Sequence, residues 1–249
     1  MKVTVVTKQA FKVSAWSLKN YNETELENTL RAFNSAGGGN FYFLDYYRKK
    51  AIVDSSSALI LCGHSKNLAD KQGFDFFQYV LSDNEWNWLN RVNEKCYEFF
   101  FNYPKNRHKD LSISYDLKLI TTKGKEIMLR HNIVPYKLCQ NGNVWLGLCH
   151  VWASPEKKSG NAFIFDRKTG EQYDFTDDNF VNLGTHVLTQ EERTILKLMV
   201  QELSDEEIGQ LLEISSVANL KRKKRDLYAK LDVGTSASAV HKAHLLGII

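Results

Sequence analysis

The chain has 249 residues, 43% of them apolar and 25% charged, with a formal net charge of +4. This length allows one large or two small domains with buried cores, and the composition excludes a disordered or fibrous protein. No apolar run reaches the 18 residues that suggest a transmembrane helix, and the run after Met1 is too short for a signal peptide. We therefore expect a cytoplasmic protein with no membrane partner.

Cysteine and histidine positions do not suggest a metal or cofactor site. The four cysteines form no C-x-x-C pair, which argues against a zinc cage or redox pair and favours reduced, buried thiols. None of them lies in the Asn-Cys-Arg-Phe-like run that a flavin-linked light sensor needs. The longest helix expected in the N-terminal half, residues 81–101, contains no histidine to serve as an axial haem ligand. We expect no cofactor and no metal.

Residues 1–36 are predicted to form an N-terminal segment with one amphipathic helix over about residues 23–34. Asn22 stands three residues before Glu25, a pattern that caps the first unpaired amides of a helix. Three glycines at 37–39 then predict a flexible connector, although a hinge beside a ligand would use the same residues. The apolar stripe of the helix is predicted to consist of Leu26, Leu30 and Phe33.

Residues 37–155 are predicted to form one domain of short strands and helices. A hairpin is expected over residues 41–55, and a capping box at Ser82 begins a longer helix after several short helical turns. From residue 112 apolar and polar residues alternate over two segments, which is typical of strands, and a second turn separates them from a third segment that is apolar on both faces, as in a buried strand. The three segments lie at about residues 113–119, 127–135 and 144–152.

This order of elements predicts an α+β fold, a five-stranded antiparallel sheet with flanking helices. This order resembles the PAS sensor fold over about residues 40–154. Two sequence stretches add to the resemblance: Phe41-Tyr-Phe-Leu-Asp45, and Leu81-Ser-Asp-Asn-Glu85 before the longer helix. The resemblance implies a small-molecule cavity between sheet and helices, a dimerisation surface and a sensory role. The candidate cavity residues are Phe99, Tyr115, Trp145 and Trp152, for which an ordinary aromatic core is the alternative explanation.

Residues 156–185 are predicted to be a linker that contains one extra hairpin. Strand formers at 162–166 and 171–175 flank the turn residues Arg-Lys-Thr-Gly. Residues 176–185 would then connect this hairpin to the C-terminal part of the chain.

Residues 186–249, called the helical head below, are predicted to form an all-α domain of four helices. Thr189-Gln-Glu-Glu192 and Ser204-Asp-Glu-Glu207 are both capping boxes, so local hydrogen bonds set the starts of two helices. The inward positions of the first two helices are predicted to be Leu188, Ile195, Leu198, Met199, Ile208, Leu211 and Leu212. An apolar seam on the third helix is formed by Leu220, Leu227 and Leu231.

The third helix carries cations on the side away from its apolar seam. A short helix, a turn and a basic helix make the geometry that enters the major groove of DNA, where lysine and arginine contact phosphates and base edges. A solvated helix face is the plain alternative, but the capping boxes and the confinement of acids to the preceding helices favour DNA contact. The candidate DNA-binding residues are Ser216, Asn219, Lys221, Arg222, Lys224 and Arg225.

The helical head resembles the LuxR-type, or GerE-type, helix-turn-helix family. Residues 203–212 and 227–231 match the family pattern, and Leu188-Thr-Gln-Glu-Glu192 matches it except at Glu191. The spacing from Ile214 to Leu220 is one residue longer than usual, so either the turn bulges or the recognition helix begins later. The resemblance implies a homodimer on double-stranded DNA, with head-to-head dimer contacts at Ala237, Val240 and His244.

No nucleophile–base pair, glycine-rich phosphate loop or catalytic acid pair stands out, so no enzyme activity is expected.

We interpret the chain as a transcriptional regulator in which a sensor domain, with an unknown small-molecule ligand, controls how two heads are spaced on DNA. The alternative is a PAS-based interaction module whose helical head binds protein. A sigma-factor-like protein would need a basic, aromatic helical region before the head, whereas residues 40–175 are rich in strand formers.

Overall fold

The computed structural model describes residues 13, 18–19, 21–37, 40–55, 57–154, 156–185, 188–246 and 248–249. The strands are β1 (Asn40–Asp45), β2 (Lys50–Val53), β3 (Leu111–Ile120), β4 (Glu126–Leu138), β5 (Val144–Ala153), β6 (Ala162–Asp166), β7 (Glu171–Thr176) and β8 (Asn179–Thr185). The helices are α1 (Glu23–Gly37), α2 (Ala58–Leu61), α3 (Lys66–Gln72), α4 (Phe77–Val80), α5 (Asp83–Asn102), α6 (Gln190–Val200), α7 (Asp205–Leu211), α8 (Val217–Lys230) and α9 (Ser236–Leu245).

The strands form one eight-stranded sheet in the order β2-β1-β5-β4-β3-β6-β7-β8. Strand β1 pairs antiparallel with β2 and β5, and β4 pairs antiparallel with β3 and β5. The α+β class is confirmed, but the predicted count of five strands is wrong. The extra hairpin supplies β6 and β7, and the stretch expected to be a connection forms β8. The unpaired amides and carbonyls at the edge of β3 explain why strand formers that follow it extend the sheet.

Contacts within the chain divide it into two compact units. The first unit contains the residues up to Ile164 together with Asp174–Val181, and the second contains Phe165–Tyr173 and Asn182–Ile249. The predicted domain borders at residues 36, 155 and 185 stay predictions. Among the described residues, no helix has the length and apolar character needed to cross a membrane.

Helix α1 covers part of the sheet in the first unit. Its predicted N-cap is confirmed, because the Glu25 amide donates a hydrogen bond of 3.2 Å to Asn22 Oδ1. The helix continues to Gly37, three residues beyond the predicted end, while the other two glycines of the predicted connector lie outside the described residues. Leu26 and Leu30 are buried, whereas Phe33 is 41% exposed. The buried cluster around them also includes Phe43, Ile52, Cys139, Trp145 and Leu146.

Helix α5 begins at its predicted cap, but only half of the capping box forms. The Glu85 amide donates to Ser82 Oγ at 3.3 Å. The Glu85 carboxylate accepts hydrogen bonds from the Ser159 hydroxyl and, at 3.5 Å, from the Lys118 amide, rather than from Ser82. Glu85 therefore joins α5 both to β3 and to the segment that precedes β6.

The helical head packs around the predicted seam of α8. Leu220, Leu227 and Leu231 are all fully buried, as predicted, and Ile195 and Ile208 contribute to the same unit as buried residues. Leu211 is 62% exposed, so its predicted inward position is wrong. Helix α7 has only seven residues, and its buried positions are Ile208 and Gly209.

Candidate functional site

Helix α8 starts from a side-chain cap. Ser216 Oγ accepts a hydrogen bond of 3.2 Å from the Asn219 amide, and the Asn219 side-chain amide donates to Ser215 Oγ at 2.7 Å. The helix runs without interruption from Val217 to Lys230. Ser216 and Asn219, two of the predicted DNA-binding residues, therefore lie together at the N-terminal end of α8.

Three of the predicted DNA-binding cations lie on the exposed side of α8, opposite the seam. We call Lys221, Arg222 and Arg225 the basic face; all three are exposed. Their spacing of i, i+1 and i+4 places them on one side of a helix. Lys221 and Arg222 form no ion pair among the described residues. Arg225 contacts Asp226 at 3.9 Å with both side chains largely exposed, and such a pair contributes little.

The other cations of α8 pair with acids at the starts of α6 and α7. Lys223 Nζ lies 2.7 Å from Glu191, and Lys230 Nζ lies 2.8 Å from Glu192. Lys224 Nζ lies 2.7 Å from Asp205, and its side chain is only 14% exposed. Lys224 follows Leu220 by one helical turn, so it lies near the seam rather than on the basic face. The structure thus separates Lys224 from the other predicted DNA-binding cations.

Positive and negative side chains are equal in number in the head. Residues 188–249 contain nine lysines and arginines and nine aspartates and glutamates. Burial alone would raise the pKa of Glu192, but the Lys230 ammonium and the Thr189 amide lower it below its ordinary value. Any attraction of this head to a polyanion must therefore come from where the cations lie, not from net charge.

Three residues of α9 predicted as dimer contacts share one side of that helix. Ala237 and His244 are exposed and Val240 is half-buried. Their spacing of i, i+3 and i+7 places them on the side away from the fully buried Ala239 and Ala243. They are arranged as an accessible strip.

The first unit contains a cavity of about 470 Å³ between α5 and the inner side of the sheet. Tyr115 lines it, but Phe99, Trp145 and Trp152 lie outside it, so the predicted set of cavity residues is corrected. Phe99 packs against Tyr103 and Phe180, Trp145 stacks on Tyr21, and Trp152 lies beside His150. The residues that line the cavity with Tyr115 include Tyr46, Leu89, Cys96, Phe100, His131 and Ile133.

His131 is a buried polar residue in the lining of this cavity, and no functional role was predicted for it. Its Nδ1 lies 3.2 Å from the Tyr42 hydroxyl, and its ring stacks on Tyr115 at 5.3 Å. Its Nε2 is buried without a hydrogen-bond partner among the described residues. Burial lowers the pKa of His131 to about 3, so the ring is neutral near pH 7. The one signal in the sequence is that His131 alternates with Leu129 and Ile133 on an apolar strand face.

Replacing His131 by phenylalanine is expected to flatten the pH dependence of stability in the first unit. The folded-state pKa of about 3 lies below the ordinary 6.5, so protons favour the unfolded chain. The stability that the neutral His131 ring contributes to the fold is therefore fully present above pH 6.5. It is lost as the pH falls towards 3, by at most about 1.4 kcal/mol per pH unit. Urea unfolding between about pH 7.5 and 4.5 should show a steeper loss in the native chain than in the variant. Equal slopes would contradict the neutral, buried imidazole.

The opposite side of the same strand pair carries a buried ion pair. Tyr115 pairs with His131 across β3 and β4, and the next residues, Asp116 and Arg130, also pair. Two hydrogen bonds of 2.5 Å join the Asp116 carboxylate to the guanidinium, which is 1% exposed. Ser154 Oγ also donates to Asp116 Oδ1 at 2.7 Å.

Among the described residues, no group of three or more histidine, cysteine, aspartate or glutamate side chains could hold a metal ion.

Comparison with known proteins finds similarity only among solved structures. No protein-family model matches the chain, and no curated protein matches its sequence. The phage VqmA–DPO complex is 13% identical over 91% of this chain and 92% of that chain, with a TM-score of 0.30. The Vibrio cholerae VqmA–ligand–DNA complex is 12% identical over 89% of each chain, with a TM-score of 0.32. The Vibrio cholerae VqmA dimer without target DNA is 10% identical over 89% of this chain and 88% of that chain, with a TM-score of 0.31. No family is assigned from this level of similarity.

Proposed function

We propose that the chain is a DNA-binding transcriptional regulator whose helical head reads the major groove with α8. The observation that carries this proposal is the basic face, which is exposed on the side of α8 opposite a fully buried seam. A helix of about 10–12 Å diameter fits a major groove about 12 Å wide. Helix α8 can therefore present the basic face to DNA while its seam stays packed in the head.

The proposed assembly is a LuxR-type homodimer with PAS-like sensors. The strip of Ala237, Val240 and His244 would join two heads, so that two α8 helices reach half-sites about one helical turn apart. In the first unit, β1 to β5 are contiguous in the sheet, which supports the PAS-like assignment. A ligand that binds one head spacing better than another would shift the population towards it. The proposed role is binding rather than catalysis.

The test is a fluorescence-anisotropy titration of the full chain with labelled duplex DNA of random sequence. If each head of a dimer places three cations on phosphates, affinity should fall roughly 10³-fold between about 50 and 200 mM salt. DNA binding that does not depend on salt, or no DNA binding at low salt, would refute the proposal and favour the protein-binding alternative.

A further inference from the structure

We propose that the tip of the β7–β8 hairpin is a conformational switch between α5 and the strand that leads to the helical head. We call residues 174–181 the clasp. While the clasp is held by α5, β8 is formed, and when α5 moves, the clasp opens and β8 comes apart. The inference rests on the proposed function only for its regulatory meaning, because the clasp can open whether or not the head binds DNA.

The chain passes between the two compact units three times along this stretch. Residues 165–173 belong to the second unit, the clasp belongs to the first, and residues 182–249 belong to the second again. Strand β8 (Asn179–Thr185) therefore begins in the first unit and ends in the second. What holds the clasp also holds the start of the strand from which the head continues.

Aromatic side chains of α5 hold the clasp within the first unit. Trp88 meets the Phe175 ring edge-on at 6.3 Å between centroids, and Phe99 meets the Phe180 ring edge-on at 5.9 Å. The Phe175 and Phe180 rings also lie 5.3 Å apart. All four side chains are half-buried. The four rings thus form one series of contacts that joins two places on α5 to both strands of the hairpin.

An ion pair between α5 and the clasp adds little to these ring contacts. Arg91 Nε lies 3.3 Å from Asp178 Oδ1, and the two side chains are 53% and 61% exposed. Exposed pairs of this kind contribute little because water screens them. The hold on the clasp therefore depends on the rings, and so on the position of α5.

The turn of the clasp has a conformational cost of its own. Asp177 and Asp178 separate β7 from β8, and their φ angles are 50° and 56°. A two-residue turn with two positive φ angles suits the twist of a hairpin, but it favours glycine because a side chain crowds the backbone in this conformation. The hairpin therefore depends on contacts outside its turn, and the rings of α5 provide them.

Helix α5 carries the cavity lining and the clasp contacts on different sides. Leu89 and Phe100 line the cavity, whereas Trp88 and Phe99 lie outside it and contact the clasp. Each cavity residue follows a clasp residue by one position, which is about 100° around a helix. Because a helix moves as a rigid element, a shift of α5 on its cavity side also displaces the rings that hold the clasp.

The experiment is amide hydrogen exchange of the full chain, read at the amides of β8 that pair with β7. Phe99→Ala and Phe180→Ala each remove one ring of the same contact. We expect each to speed exchange in β8 roughly tenfold, while amides of β3 and β4 keep their native rates. The effect of the double variant should be smaller than the product of the two single effects, because both remove the same contact.

Two further variants give the controls. Phe101 is also on α5 but is 66% exposed, so Phe101→Ala should change exchange in β8 by about twofold or less. Asp177→Gly removes the crowding in the turn, so it should slow β8 exchange when added to Phe99→Ala. The proposal is overturned if Phe99→Ala and Phe101→Ala exchange alike in β8, or if the clasp variants speed exchange throughout the first unit, as general unfolding would.

DNA binding tests the regulatory meaning of the clasp separately. An open clasp leaves the lead-in to each head flexible, which lowers the effective concentration of the second head once the first has bound. In anisotropy titrations with duplex DNA, we expect Phe99→Ala to bind about threefold more weakly or worse, and Phe101→Ala to bind like the native chain. Equal affinities would refute the regulatory link. No DNA binding by the native chain would refute the function proposed for the head, while the exchange rates would still decide whether the clasp opens as proposed.

Discussion

Replacing Lys221, Arg222 and Arg225 together by alanine is expected to weaken binding of duplex DNA by roughly a hundredfold or more. These side chains are exposed and hold no buried contact, so the fold should remain intact. If each contacts a phosphate, the slope of log affinity against log salt should fall by about 3 for each head. Anisotropy titrations of native and triple-variant chains at several salt concentrations measure both quantities.

Two other lysines of the head provide the controls. Lys197 is exposed on α6 and is not part of α8, so Lys197→Ala should leave DNA affinity nearly unchanged. Lys224→Met removes the ion pair with Asp205, and it should lower the stability of the head more than its DNA affinity. Unchanged affinity in the triple variant would show that α8 is not the DNA-reading helix. A loss in Lys197→Ala of about one third of the binding free energy lost by the triple variant would show that only the number of charges matters.

Replacing Asp116 by leucine is expected to destabilise the first unit by about 3–5 kcal/mol. The substitution removes the carboxylate that holds both hydrogen bonds of the Arg130 guanidinium, which is 1% exposed, and leaves it only the longer contact of 3.9 Å with Glu156; a buried charge that loses its hydrogen-bonded partner is strongly unfavourable. The double variant Asp116→Leu with Arg130→Met should recover most of the loss, because both charges are then removed. All five tryptophans lie before residue 153, so their fluorescence during urea unfolding reports the first unit.

A surface pair on the same two strands gives the matched control. Lys118 and Glu126 lie 3.1 Å apart, with side chains 39% and 60% exposed. Lys118→Met should therefore change stability by about 1 kcal/mol or less. If Asp116→Leu behaves like Lys118→Met, or if the double variant is no more stable than the single one, the buried pair does not have the assigned energetic role.

Helix starts and the seam of α8 were predictable because they depend on local spacing. Thr189 and Ser204 each cap a helix three residues before a glutamate, and both reciprocal capping boxes form. Leu220, Leu227 and Leu231 share a face by helical periodicity alone. The role of Lys224 was not predictable, because its partner Asp205 is 19 residues earlier and meets it only through the packing of α7 on α8.

The extent of the sheet and the lining of the cavity also depend on tertiary packing, which the sequence pattern does not show. Alternation placed β3 and β4 correctly, and an apolar run after a turn placed β5, but strand formers do not reveal whether a hairpin will remain separate or extend a sheet edge. Aromatic residues such as Trp145 and Trp152 are equally suited to a core or a cavity, and only tertiary packing decides. His131 could have been noticed as a polar residue on an apolar face, but its unpaired Nε2 depends on which residues surround it.

The equal numbers of positive and negative side chains in the head have a consequence for how it would meet DNA. Glu191, Glu192 and Asp205 are each paired with a lysine of α8, so the exposed cations of the basic face form a local positive patch on a body of zero net charge. The field of a duplex would pull such a body only weakly from afar, but it would exert a torque that turns the basic face inward. Salt would then act on the association rate by removing this alignment, so that more encounters begin in the wrong orientation.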